Sequence, residues 1–209
     1  MTRLFYDRHA ARFFAVLMLA MVLVLSACGQ KIWASDEAIA VARYQHGGAA
    51  ELTLVTIMNY GTNRGDHTAL FINGSERILF DPAGSWQLPQ IPERNDVHFG
   101  MRPDAVASFY LSHVRPSHYA VVQRLVVAPE VAEQAKLLAL QAGPVPPARC
   151  AAVTSRLLRD LPGLGSIKGT FFPQVLMRDF AQIAGVQSYE LHHDDPEIYA
   201  KVQQVQRPL

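Results

Sequence analysis

The sequence predicts an α+β fold, a small antiparallel sheet with packed helices, on three observations. Short runs of β-branched and apolar residues have the length and composition of strands, whereas other segments repeat their apolar residues with helical periodicity. Two of the strand-like runs flank the segment Asn73–Ser75, which is typical of a β-hairpin turn. Strands joined by a hairpin are antiparallel neighbours, and this favours α+β over a parallel βαβ arrangement.

The individual elements follow from periodicity and from the residues at their ends. Both faces of the hairpin are apolar, which indicates central strands covered on both sides. Pro129 and Gly143 bound the clearest helix, since Pro is common in a first helical turn and Gly at a helix end. Segments 59–66 and 85–102 are predicted to be loops because they are polar or contain Pro. The predicted strands are 52–58, 68–72, 77–80, 119–127 and 186–191, and the predicted helices are 36–44, 103–112, 129–142, 148–161 and one that begins after Pro173.

The N-terminus resembles the signal peptide of a bacterial lipoprotein. Arg3, Arg8 and Arg12 form a basic segment. The uncharged apolar run 13–25 that follows is shorter than the roughly 20 residues that cross a bilayer as a helix. The run ends in Leu25–Gly29, with the sequence Leu-Ser-Ala-Cys-Gly, which resembles a lipobox. An ordinary signal peptide with a chance cysteine, or a short anchor, is the alternative.

The lipobox resemblance implies that Cys28 becomes the acylated first residue, palmitate being one such acyl group, and binds membrane lipid through its acyl chains. It places the protein in the bacterial cell envelope, facing the periplasm. Gly29 instead of Asp follows Cys28, so by analogy with enterobacterial sorting the outer membrane is expected in a Gram-negative cell. The expected organisation is a signal peptide at 1–27, a lipidated cysteine and tether at 28–50, and one α+β domain at 51–209.

Composition and charge restrict the partners. The net charge is +1 and charges of both signs are interspersed, whereas a nucleic-acid-binding protein would concentrate basic residues on one face. We therefore expect no nucleic-acid partner. The chain has two cysteines, and with lipid on Cys28 the other, Cys150, has no disulfide partner. A single free thiol is unusual in an oxidising compartment and marks Cys150 for attention.

His67 and Cys150 are the candidate catalytic pair. Cys150 opens a predicted helix, where the helix dipole and the free backbone N–H groups stabilise a thiolate. Val153, Leu157 and Leu161 follow at helical spacing, so the thiol lies on the stripe that faces the core. A cysteine nucleophile also needs a histidine to share its proton, and His67 begins a hairpin strand.

Asp81 is the candidate residue to orient His67. A three-residue turn at 73–75 would pair residues 67 and 81 directly, with both side chains on one face of the sheet. A turn of two or four residues would place them on opposite faces, so the contact depends on the turn length. Asp81 also precedes Pro82 and has a structural interpretation as a turn residue.

These pieces together resemble the circularly permuted branch of the NlpC/P60 papain-like superfamily, in which the histidine precedes the cysteine along the chain. The resemblance spans about 52–161. It rests on the segments 67–72, 78–82 and 149–158. It implies a permuted papain-like arrangement with Cys150 as nucleophile, His67 as base and Asp81 as the residue that orients His67. Activities of the family include cleavage of peptidoglycan peptides and acyl transfer or hydrolysis on lipids.

The predicted function is that of a membrane-anchored cysteine hydrolase that cleaves an amide bond in cell-wall peptide. A lipid acyl hydrolase or transferase is a second candidate. The alternative from a different class is a catalytically inactive envelope lipoprotein that serves as a binding or scaffold module. No cofactor and no metal site are predicted.

Three further features receive a structural interpretation. Residues 192–195 include metal-ligand types, but their place near the chain end favours a solvated tail. A proline between His113 and His118 breaks helical spacing and argues against a paired metal site. Three arginines near Cys150 are expected on the solvent face of their helix, namely Arg149, Arg156 and Arg159.

Overall fold

The computed structural model of the protein describes Phe14 and residues 32–209. The signal peptide expected at 1–27, apart from Phe14, and the lipidation site Cys28 lie outside the described residues. Residues 32–209 form seven strands and six helices. In chain order these are α1 (Asp36–Ala42), β1 (Glu51–Asn59), β2 (Arg64–Asn73), β3 (Arg77–Phe80), β4 (Glu93–Arg94), β5 (Val97–His98), α2 (Pro103–His113), β6 (His118–Val126), α3 (Pro129–Gln141), α4 (Cys150–Arg159), α5 (Pro173–Phe180), β7 (Gln187–Leu191) and α6 (Ile198–Gln204).

The seven strands form one antiparallel sheet in the order β4-β5-β3-β2-β1-β6-β7. The predicted α+β class with an antiparallel sheet is confirmed. Every predicted strand and helix is present, with ends shifted by a few residues. The short strands β4 and β5 occur inside the loop predicted at 85–102, and α6 was not predicted. No helix among the described residues has both the length and the apolar composition needed to span a bilayer.

Two apolar cores cover the two faces of the sheet, as the apolar hairpin faces predict. Leu70 and Ile72 of β2 pack on one side with residues of α3, α4 and α5. Ala69 and Phe71 pack on the other side with residues of α2 and α6. The alternation follows from the two-residue repeat of a strand. The sheet is therefore a central layer between two helical layers, and β1 is buried at all positions except Asn59.

The register of the β2–β3 hairpin differs from the predicted one. Asn73 is the last residue of β2 and pairs with Arg77, so the turn is 74–76 and not 73–75. Extended along the strands, this register sets Asp81 opposite Ala69, two residues from the predicted partner His67. Because side chains alternate with a period of two, a shift of two residues keeps Asp81 and His67 on the same face.

Residues 32–50, expected to be a tether, lie against the domain. The backbone N–H of Ala34 donates to the carbonyl of Glu93 in β4 (2.9 Å). The backbone N–H of Arg77 in β3 donates to the carbonyl of Tyr44 (2.8 Å). Strand ends and edges have backbone groups that need such partners. The described part of the tether therefore belongs to the packed unit.

The segment 192–195 is not a free tail, contrary to the interpretation favoured by its position. The ring of His192 stacks on Tyr119 (centroids 5.0 Å apart), and its Nδ1 is 2.6 Å from the hydroxyl of Tyr60. Its Nε2 is 2.9 Å from a carboxylate oxygen of Glu190. Because α6 follows and buries Val202 in the core, the chain end is packed.

Candidate active site

Cys150, His67 and Asp81 lie together at one edge of the β2–β3 hairpin. Nε2–H of His67 donates to Oδ1 of Asp81 at 2.6 Å. The same imidazole is hydrogen-bonded to the thiol of Cys150. Cys150 is 6% exposed and Asp81 is 2% exposed. The three groups predicted from sequence thus form one hydrogen-bonded chain, from α4 through β2 to the residue that follows β3.

A β-bulge sets the position of His67. Ile57 of β1 pairs with His67, but the next residue, Met58, pairs with Gly65, so Asp66 is an extra residue in β2. Bulges of this kind redirect neighbouring side chains and are common beside active sites. The bulge was not predictable, because residues 59–66 have no strand pattern and were expected to be a loop.

The N-terminus of α4 fits where β2 lacks a strand partner. β3 pairs with β2 only from Leu70 to Asn73, so the preceding residues of β2 have no strand partner on that side among the described residues. There the backbone N–H of Thr68 donates to the sulfur of Cys150, as does the N–H of Ala151 in α4. The sulfur therefore accepts hydrogen bonds from both elements that meet at the site.

Asp96 connects the two segments that carry Asp81 and Cys150. Its Oδ1 accepts from the backbone N–H of Ala83 (3.1 Å), just after Asp81, and its Oδ2 accepts from Val145 (2.7 Å), just before α4. The N–H of Asp81 donates to the carbonyl of Asp96 at 2.8 Å. Asp96 has no signal in the sequence, since its partners lie in two distant segments.

The backbone is constrained on both sides of the site. Ala148, two residues before Cys150, has φ +62°, and Ala83, two residues after Asp81, has φ +57°. Residues other than glycine rarely adopt a positive φ, and those that do cluster at functional sites. Gly84 is required for space, because a Cβ there would lie 2.0 Å from Oδ2 of Asp81.

The electrostatics favour an ion pair between the thiol and the imidazole. Burial acts to raise the pKa of Cys150, but the hydrogen bond and charge of His67 hold it below its ordinary value. Burial acts to lower the pKa of His67, but hydrogen bonds and negative charge from Asp81 and Cys150 raise it. Burial acts to raise the pKa of Asp81, and the hydrogen bond and charge of His67 lower it. These directions all favour the ionised forms, a thiolate, an imidazolium and a carboxylate.

His113 lies beside His67. The two rings are nearly parallel, 12° apart with centroids separated by 6.0 Å, and Nδ1 of His113 is 2.8 Å from the carbonyl of Phe109. Burial lowers the pKa of His113, so it does not place a second positive charge next to His67. His118 instead contacts Asp66 at 2.9 Å. The described residues contain no group of three or more His, Cys, Asp or Glu side chains placed to hold a metal ion.

Two aromatic side chains are exposed next to the start of α4. Phe171 is 58% exposed and Phe172 is 61% exposed. The guanidinium of Arg149, the residue before Cys150, lies 5.8 Å from the centre of the Phe171 ring. As predicted, all three arginines near Cys150 are exposed, namely Arg149, Arg156 and Arg159.

The arrangement is suited to attack on a carbonyl group. A thiolate at a helix N-terminus is a strong nucleophile, and the imidazolium beside it can donate a proton to a leaving group. The backbone N–H groups at the start of α4 are donors for a developing oxyanion.

No family model matches this chain, and no match was found among curated proteins or solved structures.

Proposed function

We propose that the protein is a cysteine hydrolase with a permuted papain-like arrangement of its domain. Cys150 is the nucleophile, His67 is the general acid and base, and Asp81 orients His67. The observation that carries this proposal is the hydrogen-bonded chain of the three side chains, with the sulfur at the first residue of α4. The order of histidine before cysteine along the chain also fits the permuted branch of the NlpC/P60 superfamily.

The reaction has two stages. The Cys150 thiolate attacks the carbonyl carbon of an amide, and a C–S bond forms. The oxyanion accepts hydrogen bonds from the backbone N–H groups at the start of α4. The imidazolium of His67 gives its proton to the amide nitrogen, the C–N bond breaks, and the amine leaves. Water then gives a proton to His67 and attacks the thioester, which releases the acid and restores the thiolate.

The proposed substrate is an amide in cell-wall peptide, reached by a protein held in the envelope through acylated Cys28. A lipid ester is the second candidate substrate. It is favoured by one observation, the exposed aromatic pair Phe171 and Phe172 beside Arg149, which offers apolar contact to an acyl chain. The catalytic steps are the same for both bonds.

Thiol labelling tests the catalytic proposal. We expect iodoacetamide to modify Cys150 rapidly at pH 6 in the full-length protein in detergent, with the Cys150 peptide quantified by mass spectrometry. His67→Ala should lower the rate at pH 6 at least tenfold, and the two proteins should converge near pH 9.5, where the thiolate no longer needs the imidazolium.

His118→Ala is the matched control, because His118 lies near β2 but contacts Asp66 and not the thiol. It should label like the wild type. An ordinary thiol pH profile that His67→Ala leaves unchanged would show that Cys150 is inert and would favour the inactive binding or scaffold module.

The anchor requires its own experiment. We expect the full-length protein to incorporate labelled palmitate and to sediment with membranes. Cys28→Ala should abolish both properties, because several acyl chains are needed for stable attachment. Cys150→Ala, the equivalent change at the other cysteine, should leave both unchanged. Palmitate incorporation that persists in Cys28→Ala would contradict lipidation at this residue.

A further inference from the structure

A cleft of about 440 Å³ borders Asp81 and is lined by neither Cys150 nor His67. Trp86, Val145 and Pro147 supply apolar surface, and the polar groups come from Asp81, Ser85, Gln87 and the β4–β5 hairpin. The wall formed by 145–147 runs directly into the start of α4. The cleft is therefore an extension of the candidate active site beyond the carboxylate end of the hydrogen-bonded chain.

Three of the side chains that line this cleft have polar atoms without hydrogen-bond partners among the described residues. Oδ2 of Asp81 accepts no hydrogen bond, but it is buried against Gly84 and is not open to the cleft. The ring of His98 is 3% exposed and makes none, although it lines the cleft. The carboxylate of Glu93 makes none either; Oε2 lies 3.9 Å from Nδ1 of His98, beyond hydrogen-bonding distance. Buried polar groups normally have partners, so the buried ring of His98, with the half-buried carboxylate of Glu93 beside it, points to a polar ligand in this cleft.

The charge of the cleft identifies the kind of ligand. Asp81, Glu93 and Asp96 all line it, whereas none of the Lys and Arg side chains that the structure describes does. Both oxygens of Asp96 are already used by backbone N–H groups, which leaves Glu93 as the free acceptor. Burial raises the pKa of Glu93 to about 7, and the negative charges of Asp96 and Asp81 add to this rise, so the cleft favours a cation over an anion.

An ammonium group is complementary to the acidic lining of the cleft. It carries three N–H donors and one positive charge on a compact centre. A water molecule would also donate hydrogen bonds, but it would not offset the repulsion among the carboxylates. A substrate carboxylate or phosphate would add to that repulsion.

We propose that this cleft binds a protonated primary amine carried by the substrate, with Glu93 as its counter-ion. This rests on the proposed hydrolase function and narrows its substrate class. His67 protonates the leaving group, and the cleft lies beyond His67 and its partner Asp81. The amine therefore belongs to the leaving portion, so the scissile amide joins an acyl group to a diamine or to a basic amino acid.

Binding of two small probes tests this inference in the full-length protein in detergent at pH 8. Pentylamine carries the charge, and pentanol has the same chain without it. We expect pentylamine to bind at least tenfold more tightly than pentanol by ligand-observed NMR titration. Glu93→Gln should lower the affinity for pentylamine at least fivefold and leave the affinity for pentanol unchanged. Glu190→Gln removes the same charge on β7, at the opposite edge of the sheet, and should match the wild type.

Equal affinity for the two probes, or no loss of pentylamine affinity in Glu93→Gln, would overturn the amine site. The rate of Cys150 labelling at pH 6 keeps this outcome separate from the hydrolase proposal. If Cys150 is reactive and the protein shows no preference for pentylamine, only the amine site is contradicted. An inert Cys150 with the preference intact defeats the hydrolase and leaves an amine-binding cleft.

Discussion

Asp81 makes two different contacts with its two carboxylate oxygens. Oδ1 accepts the hydrogen bond from His67, whereas Oδ2 is buried without a partner and faces Gly84. A buried carboxylate stays ionised only when a cation compensates the lost hydration, and here the imidazolium does so. The charge of Asp81 in turn favours the imidazolium, and the charge of His67 lowers the pKa of Cys150. In the proposed mechanism the reactivity of the sulfur therefore depends on a carboxylate that it does not contact.

This dependence gives a prediction for Asp81→Asn. The amide keeps the shape of the side chain but removes the charge, so the pKa of His67 should fall and the pKa of Cys150 should rise. We expect the labelling profile of Cys150 to move up by at least one pH unit, with a loss of about tenfold in rate at pH 6. Asp66→Asn is the control, because Asp66 adjoins His67 in β2 but contacts His118. A profile in Asp81→Asn that coincides with that of Asp66→Asn would show that Asp81 has only a structural role.

At the scale of the elements, the predicted contact between His67 and Asp81 is present although the predicted strand register was wrong. The predicted turn was one residue early at each end, which displaced the pairing by two residues. An even displacement preserves the face of a strand, whereas an odd one would have separated the two side chains. Apolar, β-branched runs specify which segments are strands, but the pairing of Asn73 with Arg77 is a contact between strands that periodicity does not encode.

Other elements carry no local signal at all. β4 and β5 are two residues long and are held by pairing with each other and with β3. The bridging role of Asp96 and the position of His113 beside His67 depend on segments far apart in the chain. For this reason the sequence predicts that Cys150, His67 and Asp81 lie together, and it misses the residues that support them and the cleft next to them.

At the scale of the whole molecule, β4 is one edge of the sheet, and the buried His98 and the half-buried Glu93 line the cleft there. Burial lowers the pKa of His98 to about 4, so between about pH 6.5 and 4 the unfolded chain binds a proton that the folded protein does not. His98 therefore removes stability as the pH falls. Burial and nearby carboxylates raise the pKa of Glu93 to about 7, so between about pH 4.5 and 7 the folded protein holds a proton that the unfolded chain has lost. Glu93 therefore adds stability as the pH falls, and the two effects oppose each other.

The opposition predicts how Glu93→Gln changes the pH dependence of stability. Each effect amounts to roughly 3 kcal/mol over its range, because one pKa unit corresponds to about 1.4 kcal/mol. In the wild type they largely cancel between pH 6.5 and 4.5. In Glu93→Gln the contribution of His98 is no longer offset, so we expect the free energy of unfolding to fall by roughly 2 to 3 kcal/mol relative to the wild type as the pH drops from 7 to 4.5. Urea unfolding at pH 7, 5.5 and 4.5 measures this difference, with Glu190→Gln as the exposed control. Parallel pH profiles for wild type and Glu93→Gln would show that Glu93 titrates like a solvated carboxylate, and the cleft would then lack the unrelieved negative charge that calls for a cation.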